Sequence, residues 1–148
     1  MKISTQTRYG MRFLLEIALH ESDQTQTTKI TTQQIARKQG ISEKYLEAIA
    51  AKLKKGGLIY SSKGVNGGYW LAKPVKEISL GDVMRLMEST YFEVHCGKFV
   101  GESVENCPNH SNCALANFWV NLEGTISELV DNLSLEDIND QFNLPASS

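Results

Sequence analysis

The pattern of apolar and polar positions predicts two helices at the start of the chain. Residues 8–20 are apolar almost all round, which is typical of a helix that is buried on most sides. Thr31 is followed three residues later by Gln34, and this spacing forms a capping box at the start of a helix over 32–39. Gly40 is suited to the left-handed residue that ends such a helix.

The next two stretches predict a helix-turn-helix followed by a β-hairpin. Ser42 is a good N-cap for a helix over 43–55, whose apolar positions follow helical spacing: Leu46, Ile49, Ala50 and Leu53. Two helices joined by a tight turn that contains glycine form a helix-turn-helix. Residues 58–62 and 68–73 are rich in aromatic and branched side chains and predict two strands. The Asn-Gly pair in the turn between them favours a hairpin, so a winged helix is expected.

The second half of the chain predicts further helices around a cysteine-containing loop. Ser79 and Asp82 have the spacing of a capping box before another short helix. A loop is expected from about residue 91 to 112, and a long helix after Cys113. Ser134 is expected to cap a tail helix.

The long helix carries an apolar seam that is typical of a coiled coil. Its members alternate spacings of four and three residues: Leu115, Trp119, Leu122, Ile126, Leu129 and Leu133. A seam of this kind favours a twofold homodimer, and the alternative is packing on its own domain. The expected fold is mainly α, a winged helix-turn-helix with a two-stranded wing and a long C-terminal dimerisation helix. Residues 1–78 form the predicted DNA-binding domain, and residues 79–148 the predicted sensor and dimerisation region.

Charge is divided sharply along the 148 residues, although the net charge is only −2. Residues 29–76 carry ten Lys and Arg against Glu43 and Glu47, a net charge of +8. Residues 77–148 carry twelve Asp and Glu against two basic residues, a net charge of −10. A basic segment of this size favours a polyanionic partner, and double-stranded DNA fits the helix-turn-helix. The alternative is a solvated basic face.

Other classes of protein are less compatible with the sequence. The apolar run Met11 to Leu19 is interrupted by Arg12 and Glu16 and is too short to span a bilayer. We therefore expect a cytoplasmic protein with no membrane partner, in which thiols stay reduced. No arrangement typical of a hydrolase or of a nucleotide-binding loop is present, so an enzyme is not expected. A redox enzyme that used the cysteines would leave the basic segment unexplained.

The start of the helix over 43–55 is the expected base-reading surface, because this part of a helix-turn-helix enters the major groove. The predicted DNA-binding residues are Ser42, Glu43, Lys44, Tyr45, Glu47, Lys52 and Lys63. Glu47 has the chemistry to accept a hydrogen bond from a cytosine amino group, and Lys44 or Ser42 to donate to guanine or phosphate. Two alternatives remain open: Glu47 pairs with a lysine one turn away, and Tyr45 packs against the core.

All three cysteines, Cys96, Cys107 and Cys113, lie in one stretch of 18 residues together with His110. Thiolates are soft ligands that select zinc, copper(I) or iron–sulfur clusters. The close Cys-x2-Cys pairs of common zinc sites are absent, and the wide spacing favours a cluster. Three cysteines leave a fourth ligand to be found, for which His110 is a candidate. A zinc site with three cysteines and one histidine, or three buried thiols, are the alternatives.

Several segments together resemble the IscR/NsrR-type winged-helix regulators over nearly the whole chain. They are STQTRYGMRFLLEIALH, GISEKYLEAIAAKLKKGGLI, KGVNGGYWLAKP and the three-cysteine loop before ALANFW. The resemblance implies a dimeric bacterial transcription factor whose cysteines hold a 2Fe-2S or 4Fe-4S cluster. It also implies DNA contacts at Lys44, Glu47 and Lys63.

The resemblance does not extend to the fourth cluster ligand. IscR-like members place a histidine where this chain has Ala116, and NsrR-like members place an acidic residue where it has Arg8. Some relatives bind no cluster and act through a partner protein. The sequence therefore also allows a clusterless or zinc-bound repressor that is controlled by a regulatory protein or by thiol oxidation.

Overall fold

The computed structural model describes residues 2–23, 29–89 and 113–141. The helices and strands in these ranges follow the predicted order: α1 (Thr5–Ser22), α2 (Thr32–Gln39), α3 (Glu43–Lys55), β1 (Ile59–Ser62), β2 (Gly68–Leu71), a 3-10 turn (Val75–Glu77), α4 (Leu80–Met87), α5 (Ala114–Asp131) and α6 (Leu135–Gln141). The predicted mainly α winged helix-turn-helix, with its two-stranded wing, is therefore confirmed.

Local capping interactions determine where α2 and α3 begin and end. The Thr31 hydroxyl accepts from the Gln34 N–H, and the Gln34 side chain accepts from the Thr31 N–H. Gly40 ends α2 with φ of 64°, in the left-handed region where glycine carries no steric penalty. The Ser42 hydroxyl accepts from the N–H of Tyr45 at the start of α3. Both helices therefore have the predicted bounds.

Helix α1 begins three residues earlier than the apolar pattern predicts. The Ser4 hydroxyl accepts from the Thr7 N–H at 3.3 Å, so Ser4 is the N-cap. The first turn is polar, and the periodicity of apolar residues does not reach it. The Glu88 carboxylate, 84 residues further along the chain than Ser4, accepts from the Ser4 N–H at 2.8 Å. A long-range contact thus stabilises a helix start that the local sequence pattern did not indicate.

A single apolar core lies between α1, the helix-turn-helix, the wing and α4. Its fully buried members come from every one of these elements: Phe13, Leu14, Ile17, Ile35, Leu46, Ile49, Leu53, Ile59 and Val83. Leu135 of α6 is also buried in this core, although it lies in the predicted second region. The domain boundary at residue 78 stays a prediction.

The wing is an antiparallel hairpin whose inner face packs on α1. Tyr69 lies opposite Ser61 in the ladder, and its ring meets the Phe13 ring edge-on at 5.3 Å between centroids. Ile30, just before α2, forms a bridge with Tyr69, whose N–H donates to the Ile30 carbonyl at 2.8 Å. The side chains of Tyr60 and Trp70 pack together on the outer face. This arrangement fixes the hairpin beside α3.

The C-terminal end of α5 is held against α4. The Arg85 guanidinium donates to Asp131 at 2.6 Å and to Asp82 at 3.0 Å. Backbone hydrogen bonds join Leu80 to Leu133 and Leu135 to Ile78 on either side of this ion-pair cluster. The C-terminal end of α5 is therefore joined to α4 by side-chain and backbone contacts.

Most of α5 carries apolar side chains that this single chain leaves exposed. Leu115 and Leu129 of the predicted seam are each 59% exposed, while Trp119, Leu122 and Ile126 are half-buried. Within the helix only Val130 is buried. The seam therefore faces away from the core over much of its length.

Candidate nucleic-acid interface

Helix α3 packs one side on the core and presents the other to solvent. Leu46, Ile49, Ala50 and Leu53 are buried. Ser42, Glu43, Lys44, Glu47 and Lys52 are exposed, as is Lys63 beyond the end of β1. Five predicted DNA-binding residues thus lie at or on one exposed helix, and a sixth lies on the neighbouring hairpin turn. An α-helix flanked by a hairpin with these cations is complementary in shape and charge to a DNA groove.

Tyr45 has a structural contact, the second of the two roles considered for it. Its ring meets the Tyr9 ring of α1 edge-on at 5.7 Å, and it is half-buried against the core. The Arg12 guanidinium carbon lies 5.7 Å from the centroid of the same Tyr9 ring. Tyr45 therefore helps to hold the start of α3 on α1.

Glu47 differs from Glu43, the other acidic residue of α3, because among the described residues its carboxylate has neither a cation nor a hydrogen-bond donor beside it. Among the residues that the structure describes, no Lys, Arg or His nitrogen lies within 4.0 Å of it, so the lysine partner considered above is not formed. Burial raises the pKa of the Tyr69 hydroxyl on the wing, and the negative charge of Glu47 raises it further. The charge of Glu47 therefore acts on a residue of the wing. Glu43, by contrast, accepts from the Thr32 hydroxyl at 3.4 Å and links α3 to α2.

Lys52 lies on the side of α3 that faces α1. Its ammonium donates to the side-chain amide oxygen of Gln6 at 2.5 Å. Burial opposes ionisation of the Glu88 carboxyl, but hydrogen bonds from Thr7 and Ser4, together with the charge of Lys52, lower its pKa. One predicted phosphate contact is therefore already engaged with the protein.

The outer face of the wing contains a cation that the sequence reasoning missed. The Lys29 ammonium lies 4.1 Å from the centre of the Trp70 ring and donates to the Ser62 hydroxyl at 3.0 Å. The polar run before Thr31 indicated only a loop. The β-bridge between Ile30 and Tyr69 of β2 places Lys29 beside the sheet. Local sequence patterns do not predict a bridge of this kind.

A buried carboxylate joins α1 to the C-terminal end of α2. The Glu16 carboxylate of α1 is buried and accepts from Lys38 at 3.0 Å and from the Gln39 side-chain amide at 2.7 Å. Because a buried carboxylate requires such partners, α1 and the end of α2 are held in one orientation. The sequence presents Glu16 only as an interruption of an apolar run.

Only one of the four predicted cluster ligands lies in the described ranges. Cys113 is half-buried, precedes the first residue of α5 and is not in a disulfide. Cys96, Cys107 and His110 lie outside the described residues. Within residues 2–23, 29–89 and 113–141, no group of three metal-ligating side chains occurs. Arg8 donates to the Thr5 hydroxyl, and Ala116 is in the first turn of α5. Neither side chain is a donor for a metal.

These features define a winged helix-turn-helix regulator that binds DNA. The profile of the Rrf2 family, described as an iron-dependent transcriptional regulator, matches residues 3–141. The chain is 36% identical over 138 residues to the protein rrf2 of Nitratidesulfovibrio vulgaris, a match that covers 93% of this chain and 87% of the relative. The chain therefore belongs to the Rrf2 family of transcriptional regulators, and it is not an enzyme.

Solved structures of family members have the same architecture. CymR, the global cysteine regulator of B. subtilis, superposes with a TM-score of 0.75 at 28% identity, over 97% of this chain and 99% of that chain. IscR of T. potens superposes with a TM-score of 0.67 at 30% identity, over 95% and 88% of the two chains. In the part of this chain that the structure describes, no helix is long and apolar enough to cross a membrane.

Proposed function

We propose that this chain is a cytoplasmic homodimeric repressor or activator that binds a palindromic operator through α3 and the wing. The proposal rests on one observation above all: Glu47 and Lys44 stand exposed on the outer side of α3, and Glu47 has no cationic partner among the described residues. An unpaired carboxylate on a surface that meets phosphates is unfavourable unless it makes a specific contact. A cytosine amino group supplies that contact.

The base-reading role is tested by selecting DNA sites from a random duplex library with the purified chain. We expect a palindrome whose half-sites lie about one or two helical turns apart. Glu47→Ala should relax the preference at one base pair per half-site, at a cost of about 1–3 kcal/mol on the selected site. Glu77→Gln is the matched control, because it removes an exposed carboxylate from the 3-10 turn rather than from α3. An unchanged base preference in Glu47→Ala would refute the assignment.

The exposed face of α5 supports the proposal of a homodimer. A monomer would leave Leu115, Phe118 and Leu129 each more than half exposed, and burial of apolar area of this kind drives association. Leu115→Asp together with Leu129→Asp should yield monomers in analytical ultracentrifugation. Val120→Asp is the control, since Val120 is also exposed but lies about 140° around the helix from Leu115 at 100° per residue. A dimer that survives the double substitution would contradict this interface.

We further propose that Cys96, Cys107 and Cys113 hold an iron–sulfur cluster that modulates DNA binding. The fit rests on the donor set, because three thiols occur in a short stretch. Cys113 is half-buried without a disulfide and lies at the N-terminal end of α5, where the helix dipole favours an anionic ligand. A bound cluster would supply a redox-active or labile group. Residues 90–112 connect α4 with α5, so a change in this segment acts between the DNA reader and the proposed dimer helix.

The fourth ligand is proposed to be His110. Arg8 and Ala116 occupy the positions where relatives of the two resembled types supply it, and neither side chain has a suitable donor. Anaerobic purification should yield a coloured protein with iron and acid-labile sulfide, and His110→Ala should alter its visible spectrum. Cluster-free and cluster-loaded protein should differ in affinity for the selected palindrome at fixed salt. Equal affinities would refute the regulatory role without affecting DNA binding.

A clusterless or zinc-bound regulator is the second candidate. The residues Arg8 and Ala116 favour it, because neither supplies the fourth ligand that cluster-binding relatives place there, and the chain also resembles CymR, a global cysteine regulator. In this case regulation would come from a partner protein or from oxidation of the thiols. A colourless protein with one zinc per chain, or with no metal and an oxidant-sensitive affinity for DNA, would support this alternative.

A further inference from the structure

The first turn of α1 is a meeting point for two distant parts of the chain. Glu88, the residue that follows α4, accepts from the Ser4 N–H at 2.8 Å and from the Thr7 hydroxyl at 2.5 Å. Thr7 is buried, so this contact lies at the edge of the core. The carboxylate also lies at the N-terminal end of α1, where the helix dipole favours a negative charge.

The same turn of α1 also holds the recognition helix. Gln6 lies between Ser4 and Thr7 in sequence, and its side-chain oxygen accepts from the Lys52 ammonium of α3. The charge of Lys52 is close enough to lower the pKa of Glu88, after burial and the hydrogen bonds from Thr7 and Ser4 have been counted. Gln6 thus holds the Lys52 ammonium directly, whereas Glu88 forms no ion pair with it within 4.0 Å and acts on it only through its charge at longer range.

An ammonium held in this way is less available to a phosphate. Lys52 lies on the exposed part of α3, where the cations of a recognition helix contact the DNA backbone. Each phosphate contact contributes affinity and a defined share of the salt dependence. The side chain of Gln6 therefore competes with a phosphate for this cation of α3, and the nearby negative charge of Glu88 favours the same position of the ammonium.

We infer that Gln6, by its hydrogen bond, and Glu88, by its negative charge, are positioning residues that hold Lys52 at the first turn of α1 and thereby lower the affinity of α3 for DNA. This inference rests on the proposed function, because it assumes that α3 binds the operator. Loss of the Gln6 contact or of the Glu88 charge would leave the Lys52 ammonium more available to a phosphate.

The experiment compares binding of wild type, Glu88→Gln, Lys52→Gln and the double variant to the palindrome selected by the wild-type chain. Glutamine keeps an oxygen that can accept from Ser4 and Thr7, so mainly the charge is removed. Glu88→Gln should bind about two- to five-fold more tightly, the scale of an exposed charge pair. Its affinity should also depend more steeply on salt, by about one phosphate contact.

The double-mutant comparison separates an effect through Lys52 from a general change in charge. In the Lys52→Gln background, Glu88→Gln should have no further effect, while Glu77→Gln should leave wild-type binding almost unchanged. An equal gain in both backgrounds, or unchanged or weaker binding by Glu88→Gln, would overturn the inference. If Glu88→Gln does not fold, Gln6→Ala carries the test, because it releases Lys52 without touching the carboxylate: tighter binding supports the inference, and unchanged binding overturns it. If the wild-type chain selects no DNA site, the proposed function itself is wrong.

Discussion

Gly68, at the start of β2, is expected to be one of the least substitutable positions of the wing. Its φ is +150°, a backbone conformation that L side chains rarely adopt. A Cβ at this position would lie 2.6 Å from the Ile30 carbonyl oxygen and 2.8 Å from the Lys29 Cβ. Gly68→Ala therefore has to separate β2 from the segment before α2 as well as strain the backbone.

Gly64, at the hairpin turn, provides a matched control. Its φ is +101°, but a Cβ there would meet no atom within 4 Å. Both substitutions incur backbone strain of about 1–3 kcal/mol. Gly68→Ala additionally weakens the hydrogen bond from the Tyr69 N–H to Ile30, worth about 1 kcal/mol, and disturbs the packing around it. We expect Gly68→Ala to lower the free energy of unfolding by about 2–5 kcal/mol, and by about 1–2 kcal/mol more than Gly64→Ala.

The assay is urea unfolding followed by circular dichroism, with both variants at one fixed protomer concentration because association would shift the midpoint. A loss of 2–5 kcal/mol corresponds to a melting temperature lower by roughly 5–15 °C for a chain of this size. If Gly68→Ala is no less stable than Gly64→Ala, the close approach of Ile30 to β2 does not contribute as argued.

Three further predictions concern the core, the response to acid and the wing tip. Phe13 is fully buried and meets Tyr69 edge-on, so Phe13→Ala should lower the free energy of unfolding by about 3–5 kcal/mol in urea titrations, and a loss below about 1 kcal/mol would contradict its place in the core. Burial opposes ionisation of the Asp82 carboxyl, but hydrogen bonds from Ser79 and Arg85 lower its pKa below the ordinary 3.8. Asp82 therefore stabilises the fold above its unfolded-state pKa, and this contribution is lost as the pH falls through the lower folded-state pKa. Urea midpoints between pH 2 and 7 should fall less steeply at the acid end in Asp82→Asn than in wild type, and identical slopes would count against this linkage. Lys63→Ala should weaken binding to all DNA sequences and reduce the salt dependence of the affinity by about one phosphate contact. Lys76→Ala is the control, because Lys76 is an exposed cation of the 3-10 turn, and it should leave the salt dependence unchanged.

The parts of the fold that the sequence predicts well are those formed by interactions between near neighbours. The bounds of α2 and α3 follow from Thr31, Gly40 and Ser42, each of which acts within three or four residues of its own position. The hairpin follows from strand-forming residues on either side of an Asn-Gly turn. The exposed side of α3, including Lys44 and Glu47, follows from helical periodicity alone.

The exposure of the candidate site was predictable to the same limited extent. The pattern indicated that the outer residues of α3 and the turn lysine Lys63 are exposed, since any amphipathic helix has an identifiable outer side, and their contact with DNA stays a prediction. The partners of these residues were not found. The contacts of Tyr45 with Tyr9, of Lys52 with Gln6 and of Glu43 with Thr32 join different elements and leave no periodic trace.

By itself the sequence determined the order of the helices and strands, most of their bounds and the charged side of α3. These features depend on caps, turns and amphipathic spacing, which act over a few residues. Only the tertiary structure decided the contact of Glu88 with the start of α1, the placing of Lys29 on the wing and the burial of Glu16 between Lys38 and Gln39. It also decided that Glu88 and Lys52, 36 positions apart, both contact the first turn of α1. These contacts join residues that are far apart in the sequence. The packing of the helices brings such residues together, and a pattern within a few residues of the chain does not predict which of them will meet.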